Sequence, residues 1–286
     1  MKKRALIIYY IMLTSFTVYV ILDTLVLTKV YKKVDNISTI NYNGTYTDNS
    51  YEDENIKIDI STYREYNTNI YVANIYASSN YLKTAFANNS YGKNVTSKTS
   101  SIASANNAIL AINGDYYGVQ ESGYVLRNGE IYRDKPKSNQ EDLVIYENGT
   151  FEIINEKNVS LEKLKEKGAY QVLSFGPALL IDGVININET KEVSKSMASN
   201  PRTALGIIDE NHYIFIVSDG RTNENKGLSL YQLATFAKSI GVKTLYNLDG
   251  GGSSTMYFNG KVINNPTTNG KKIAERMVSD IVYIGY

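Results

Sequence analysis

The stretch 247–258, "NLDGGGSSTMYF", places an acid, three consecutive glycines and two serines between two segments whose apolar residues predict β-strands. Glycine amides approach an anion closely and adopt positive φ without strain, and the serines add hydroxyl donors. The lysine of a P-loop is missing, and a strand rather than a helix follows. The stretch therefore predicts a strand-end loop that holds a phosphate or carbonyl oxygen. The residues expected to make these contacts are Gly250, Gly251, Gly252, Ser253, Ser254 and Thr255.

Apolar and β-branched runs on both sides of this loop predict that residues 56–286 form one strand-rich domain. Four type I′ hairpin turns are expected because Asn or Asp precedes Gly between apolar residues. These turns are Asn128-Gly129, Asn148-Gly149, Asp182-Gly183 and Asn259-Gly260.

Helices are predicted over fewer residues. The clearest covers 230–240, where Ser229 and Gln232 form a capping box, and weaker ones cover 97–107 and 160–167. With strands on either side, helix 230–240 predicts one β-α-β unit. We therefore expect an α+β fold with a mixed, hairpin-rich β-sheet and a few packed helices.

The N-terminus predicts where the protein works. After "MKKR" (1–4), residues 5–27 carry a single charge, Asp23, and are long enough to span a hydrocarbon core. No small-residue cleavage site follows, which favours an uncleaved single-pass signal anchor. Residues 28–55 are polar and lack an apolar period, which is typical of a stalk. We expect a short cytoplasmic tail, an anchor in the cell membrane, a stalk and an extracytoplasmic domain.

Composition excludes several function classes. The chain has 30 Lys and Arg against 29 Asp and Glu, so no large basic field is available for nucleic acid. The absence of Cys excludes disulfides, thiolate catalysis and cysteine metal sites, and a single His excludes histidine clusters. We expect no metal or other cofactor, with a divalent cation such as Ca²⁺ as the alternative.

Three apolar strands each end in Asp beside Gly, at Asp115, Asp219 and Asp249. One such pair by itself is typical of a turn. Strand ends gather at one edge of a parallel or mixed sheet, so three of them together predict a single site. Residues placed there by the same reasoning are Asn113, Arg202, Arg221, Glu275 and Arg276.

The motifs "INGDYY", "SFGPALLIDG", "NPRTALG", "SDGR", "NLDGGGSSTMYF" and "ERMVSD" occur in this order over about residues 70–286. In their order and spacing they resemble the phosphodiester glycosidase domain family. The resemblance implies a hydrolase that cleaves a sugar-1-phosphodiester at the anomeric carbon, and we expect the substrate to be a phosphate-linked glycan of the cell surface or of an exopolysaccharide.

That reaction requires cations for the phosphodiester and a carboxylate near the oxocarbenium-like carbon. Guanidinium groups bind phosphate oxygens in pairs, which assigns Arg202, Arg221 and Arg276 to the phosphate. Asp249 is the first candidate for nucleophile or base, followed by Asp219 and Glu275. Asn113 and Asp115 are assigned to substrate binding.

Two other function classes stay open from the sequence. A non-catalytic carbohydrate-binding protein would keep the arginines and the glycine loop without needing a central carboxylate. A metal-dependent phosphodiesterase would use Asp115, Asp219 and Asp249 as oxygen ligands for Ca²⁺ or Mg²⁺.

Overall fold

The computed structural model describes residues 2–34, 43–187 and 199–286, and these residues contain four α-helices and 21 strands. The helices are α1 (Lys2–Leu25), α2 (Thr99–Ala105), α3 (Leu161–Glu166) and α4 (Leu230–Ser239). The strands are β1 (Lys29–Lys33), β2 (Thr45–Tyr46), β3 (Ser50–Glu52), β4 (Ile56–Glu65), β5 (Thr68–Ala77), β6 (Leu82–Phe86), β7 (Ser90–Lys93), β8 (Leu110–Asn113), β9 (Val125–Arg127), β10 (Glu130–Arg133), β11 (Glu141–Tyr146), β12 (Phe151–Asn155), β13 (Ala169–Leu173), β14 (Ala178–Ile181), β15 (Val184–Ile185), β16 (Arg202–Asp209), β17 (His212–Ser218), β18 (Thr244–Asn247), β19 (Met256–Phe258), β20 (Lys261–Val262) and β21 (Asp280–Ile284).

The strands form four sheets. The largest has nine strands in the order β15-β14-β18-β16-β17-β5-β4-β3-β2. Two five-stranded sheets have the orders β10-β9-β13-β11-β12 and β20-β19-β8-β21-β6, and β1 pairs with β7. The expected α+β class with hairpin-rich sheets and few helices is confirmed.

The predicted β-α-β unit is present as β17, α4 and β18, but the two strands are not neighbours. Each pairs antiparallel with β16, which lies between them, so β17 and β18 run in the same direction. All the described strand pairs are antiparallel, whereas the sequence predicted a mixed sheet.

The nine-stranded sheet is buried on both faces at its centre, as in β17, whereas β4 has one exposed face. In β17, Phe215 and Val217 enter the main core, whereas Ile214 and Ile216 face the cluster beneath α4. Successive side chains of a strand point to opposite faces, so a central strand such as β17 contributes to two layers. Helix α4 covers the second layer, and its predicted capping box between Ser229 and Gln232 is present.

The four predicted turns each connect adjacent antiparallel strands. Three of them have positive φ at both residues, as a type I′ turn requires. At the fourth, only Gly149 has positive φ, so Asn148-Gly149 is a different turn type.

Helix α1 is apolar and lies outside the core. Its residues Lys3–Leu25 are long and apolar enough to cross a membrane, and none of this span is buried within the protein.

Residues 28–55, predicted as a stalk, contribute three strands to the folded domain. Strand β1 pairs with β7, and β2 and β3 extend the nine-stranded sheet beyond β4. Tyr51 on β3 is fully buried in the main core, a contact that the polar composition of the stretch conceals. Residues 35–42 of the predicted stalk lie outside the described residues.

Candidate active site

A cleft of about 760 Å³ opens at the edge of the nine-stranded sheet where β16 begins and β18 ends. The register places Arg202, the first residue of β16, opposite Ser218, the last residue of β17. Asn247 ends β18, and Leu248 and Asp249 connect it to Gly250, Gly251 and Gly252, which we call the glycine loop. The rest of the wall comes mainly from residues 139–141 and 175–177. The start of β16 and the end of β18 thus meet at the cleft, and of the three strand-end acids that the sequence placed at one site, only Asp249 lines it.

Asp249 lies on the cleft wall and is 8% exposed. Its carboxylate accepts a hydrogen bond from Ser253 Oγ at 2.5 Å and from Arg276 Nη2 at 2.9 Å. Burial raises the pKa of Asp249, and the charge of Arg276 opposes that shift. The arrangement is a largely buried carboxylate held in one orientation at the surface of a cleft.

Arg276 fixes the glycine loop to the cleft wall. Its Nε donates to Ser253 Oγ at 2.8 Å, and its Nη2 donates to Gly250 O at 3.2 Å as well as to Asp249. The Arg276 side chain nevertheless remains 38% exposed. It therefore presents charge to the cleft while it orients the carboxylate.

Arg202 and Arg221 also line the cleft. Arg202 is 6% exposed, and its Nε donates to Leu228 O at 2.8 Å. Arg221 Nε and Nη2 donate to Asn200 Oδ1 at 3.1 and 3.0 Å, and Nη1 donates to Thr268 O at 2.6 Å. These contacts hold both guanidinium groups in fixed positions.

The cleft carries an excess of positive charge. Partial burial and the neighbouring charge of Arg276 lower the pKa of Arg221. Two guanidinium groups close enough to repel each other are stabilised by an anion between or beside them. The arginines therefore suit an anionic group such as a phosphate.

The glycine loop has a backbone that other residues would not adopt without strain. Gly251 has φ of +64°, and a Cβ there would lie 2.8 Å from Arg221 Nη2. The Gly251 amide donates to Pro201 O at 2.8 Å, so it is not aimed at a ligand, in contrast to the expected anion cradle. The glycines allow Arg221 to pack on the loop; Gly250 and Gly251 line the cleft, and Gly252 does not.

Ser253, Ser254 and Thr255, expected to contact substrate, are fully buried and do not line the cleft. The Ser253 hydroxyl is used to hold Asp249, and the Thr255 amide donates to Asn113 Oδ1 at 3.3 Å. The structure corrects their assignment, because these side chains support the loop from behind.

Asn113 and Asp115 also lie behind the cleft, which corrects their assignment to substrate binding. Asn113 Nδ2 donates to Asp249 O at 2.7 Å, so it positions the loop through the backbone. Asp115 is fully buried and forms an ion pair with Arg127 Nη2 at 2.8 Å, and Asp280 pairs with the same nitrogen at 3.0 Å. We refer to Asp115, Arg127 and Asp280 as the buried cluster, and none of these three residues lines the cleft.

Asp219 is 1% exposed and does not line the cleft. Its carboxylate accepts hydrogen bonds from Asn265 N at 2.7 Å, Asn265 Nδ2 at 3.1 Å and Tyr71 Oη at 3.3 Å. Those contacts anchor the loop after β20 to the end of β17. Its placement corrects the candidate catalytic role.

Glu275 is half-buried and also lies outside the cleft. It accepts hydrogen bonds from Ser100 N at 2.9 Å and Ser100 Oγ at 2.5 Å, in the first turn of α2. An acid at this position satisfies an otherwise unpaired amide of the helix start. This contact corrects the catalytic candidacy of Glu275, which caps a helix while its neighbour Arg276 enters the cleft.

The metal-site alternative required Asp115, Asp219 and Asp249 to share a site. Their carboxylates instead have separate partners, namely Arg127, Asn265 and Arg276. Among the described residues no group of three or more acidic or histidine side chains is arranged to hold a metal ion.

Two cleft residues were missed in the sequence. The described residues that line the cleft include two acids, Asp249 and Glu141. The Glu141 Oε2 accepts a hydrogen bond from Ala178 N at 3.2 Å. Asn247 is buried, and its Nδ2 donates to Gly176 O at 2.8 Å, whereas its Oδ1 has no hydrogen-bond partner among the described residues. Asn247 is the first residue of "NLDGGG" and could have been found there; Glu141, at the start of β11, carried no local signal.

Comparison with known proteins identifies relatives of this chain. The family model described as phosphodiester glycosidase matches residues 106–285, more than half of the chain. An uncharacterised prophage-derived protein of Bacillus subtilis, YomE, is 27% identical over 203 residues, which cover 68% of this chain and 31% of YomE.

Mouse N-acetylglucosamine-1-phosphodiester alpha-N-acetylglucosaminidase is 35% identical over 109 residues, which cover 34% of this chain and 21% of the mouse protein. The chain thus spans about a third or less of these relatives' length. Among solved structures, the auto-inhibited catalytic domain of the zebrafish enzyme of that name superposes with a TM-score of 0.65 at 21% identity. The match covers 91% of this chain and 88% of the zebrafish domain, which shows a shared fold.

Proposed function

The chain belongs to the phosphodiester glycosidase family, and we propose that it hydrolyses a sugar-1-phosphodiester at the anomeric carbon. The observation that carries this proposal is the position of Asp249 among Arg202, Arg221 and Arg276 in one cleft. A phosphodiester and an anomeric carbon lie one bond apart in such a substrate, so their binding groups must also be neighbours.

The arginines bind the phosphodiester in this proposal. Arg221 and Arg276 repel each other in the free protein, so an anionic ligand relieves an unfavourable interaction as it binds. Guanidinium groups also present paired donors to phosphate oxygens. The same groups stabilise the phosphate as negative charge develops on it when the bond to the sugar breaks.

Asp249 acts at the anomeric carbon, as nucleophile or as the base for a water molecule. Arg276 and Ser253 hold its carboxylate in one orientation, and the Arg276 charge favours the ionised form that either role needs. Phosphate is a good leaving group, so strong general-acid assistance is unnecessary. This agrees with a cleft whose described lining contains no His.

The sugar occupies the part of the cleft lined by amide and carboxylate groups. Asn247 lines this part of the cleft and contributes a side-chain amide. Glu141 supplies an acceptor, and Phe175 supplies an apolar surface in the same cleft. A phosphate-linked glycan combines these requirements with those of the arginines.

Helix α1 acts as a single-pass membrane anchor in this proposal, with the domain outside the cytoplasm. A hydrolase held there acts on glycans of the cell surface or on an exopolysaccharide.

The test is hydrolysis of a defined sugar-1-phosphodiester, for example methyl N-acetylglucosaminyl phosphate, by the full chain in detergent. We expect the wild-type protein to release the free sugar and Asp249→Asn to lose at least about a thousandfold in kcat, as removal of a central catalytic group does. Asp209→Asn is the matched control, because Asp209 is an exposed aspartate at the far end of β16.

Each alternative gives a different result in this test. A non-catalytic binding protein would retain the ester without releasing sugar, in the wild type as well as in Asp249→Asn. A metal-dependent phosphodiesterase would lose activity in a strong chelator and would release sugar phosphate instead of free sugar. NMR of the first-formed anomer distinguishes the two roles of Asp249, since a nucleophile gives retention and a base gives inversion.

A further inference from the structure

Helix α1 is fixed to the domain with almost no intervening chain. It ends at Leu25, and β1 begins at Lys29, already paired with β7. Asn94, which follows β7, donates from Nδ2 to Thr24 O at 3.3 Å and to Leu27 O at 3.2 Å. Those bonds satisfy carbonyl groups at the helix end and hold the domain directly against it.

The segment that holds the helix end also leads to the cleft. Ser97, three residues after Asn94, pairs with Val278 through reciprocal backbone hydrogen bonds of 3.0 and 2.8 Å. Arg276, which lines the cleft, is two residues from Val278. Given the reach of each chain segment and the width of a strand pair, no more than about 25 Å separates the Cα atoms of Asn94 and Arg276.

The chain next to Arg276 exposes large apolar side chains. Ile273 is 53% exposed and Met277 is 50% exposed, on either side of Arg276, and Lys271 and Lys272 precede them. Exposed apolar side chains beside lysines are typical of a segment that lies in a lipid headgroup region. We refer to residues 271–277 as the rim segment.

A second exposed apolar site is attached to the same part of the fold. Asn94 N donates to Gly118 O at 2.9 Å, and the adjacent Val119 is 37% exposed. Two apolar sites, one at the cleft, are thus joined through residues 94–97 to the end of α1. A helix that crosses the bilayer would therefore tether both sites to its end at the membrane surface.

We propose that the rim segment contacts the membrane surface, and that the substrate is a sugar-1-phosphodiester whose other ester group is a membrane lipid. The inference rests on the proposed function and specifies its substrate class. Water adds to the anomeric carbon, the bond from that carbon to the phosphate oxygen breaks, and the products are free sugar and a lipid monophosphate. The lipid chain remains in the bilayer while the sugar phosphate enters the cleft.

The test compares two esters of N-acetylglucosaminyl phosphate, using the full chain reconstituted in vesicles that contain anionic phospholipid. One ester carries a long alkyl chain and resides in the vesicle, and the other carries a methyl group and stays in solution. We expect at least about a tenfold higher kcat/KM for the alkyl ester. We expect Ile273→Ser with Met277→Ser, which removes the apolar side chains without adding charge beside Arg276, to remove that preference and to leave methyl ester hydrolysis unchanged.

Tyr76→Ser is the matched control, since Tyr76 is 47% exposed and lies opposite His212, at the end of β17 remote from the cleft. Equal rates for the two esters, or equal losses on both in the rim variant, would overturn the substrate class. Failure of the proposed function gives a different result, because neither ester would then be cleaved by the wild-type protein.

A second measurement does not depend on activity. The chain contains no Trp, so Met277→Trp introduces a single fluorescent reporter on the rim segment. We expect brominated lipids to quench it in the vesicles, and not to quench Tyr76→Trp. Equal quenching of the two, or none, would contradict membrane contact by the rim segment.

Discussion

The cleft and the buried cluster behind it are built from the same type of ion pair. In the cleft, Arg276 pairs with Asp249 at 2.9 Å, and in the buried cluster Arg127 pairs with Asp115 at 2.8 Å. The Arg276 side chain is 38% exposed, whereas that of Arg127 is 2% exposed. The two ion pairs have the same chemistry and similar distances. They therefore differ in whether a ligand can reach the arginine.

The two regions also differ in how many protein groups each arginine contacts. Arg127 is shared by Asp115 and Asp280, and it also donates to Leu126 O and Val172 O. This leaves an excess of acid, and burial and Asp115 raise the pKa of Asp280 to about 7. The cleft has the opposite excess, with three arginines against two acids, Asp249 and Glu141.

The largest expected effect comes from removing the central charge of each region. Arg127→Leu leaves two buried carboxylates without their cation, and we expect a loss of about 3–5 kcal/mol in the free energy of unfolding. Arg276→Leu leaves Asp249 with its hydrogen bond from Ser253 beside an open cleft, so we expect a smaller loss, about 1–2 kcal/mol. Urea unfolding of both variants at neutral pH measures the contrast, and equal losses would contradict the distinction between the two regions.

The same contrast explains how far the sequence could predict the site. Turn and cap chemistry is local, so the capping box of α4 and the hairpin positions could be predicted from neighbouring residues. The arginines and Asp249 were placed together by the strand-end argument, and the structure brings them to one cleft.

Strand ends alone could not separate Asp249 from Asp115 and Asp219. All three follow a buried strand and lie beside Gly, and their difference lies in partners distant in the chain. Arg127 comes from another sheet, and Asn265 comes from the loop after β20. Neighbouring residues in the sequence do not predict these long-range contacts. The burial of Tyr51, which packs β3 against the core, could not be predicted for the same reason.

Gly251→Val tests the glycine loop, which lies between the two regions. One side of this loop faces the cleft, and the other side packs on buried residues. The branched side chain meets Arg221 Nη2 and imposes strain at φ of +64°. We expect at least about a hundredfold loss of hydrolysis with a stability loss of about 1–3 kcal/mol. Assays of kcat/KM and thermal unfolding measure both.

Gly260→Val is the matched control, since Gly260 has φ of +79° and no atom of the described residues lies within 4 Å of an added Cβ. It should show a similar loss of stability with unchanged activity. If Gly251→Val keeps full activity, the loop is a turn without a role in the cleft.

Arg221→Lys retains the charge of the cleft and removes the planar group. An ammonium group lacks the rigid planar fork that matches two phosphate oxygens, so we expect an approximately tenfold rise in KM with a smaller fall in kcat. Arg64→Lys is the control, because Arg64 is an exposed arginine held by Asn225 and Glu224 O. An unchanged KM would mean that Arg221 does not bind the phosphate.

The smallest effect is expected from Asp142→Asn in the acidic surroundings of the buried cluster. Burial and the neighbouring Glu156 carboxyl raise the pKa of Asp142 well above its usual range. Between the unfolded and folded pKa values the folded protein binds the extra proton, so its stability falls as pH rises. An amide needs no proton, and we therefore expect Asp142→Asn to match the wild type near pH 4 and to exceed it by about 1 kcal/mol at pH 8. Urea unfolding across this range measures the gap, with Asp209→Asn as the exposed control; a gap that narrows as pH rises would show that Asp142 is ionised in the folded protein.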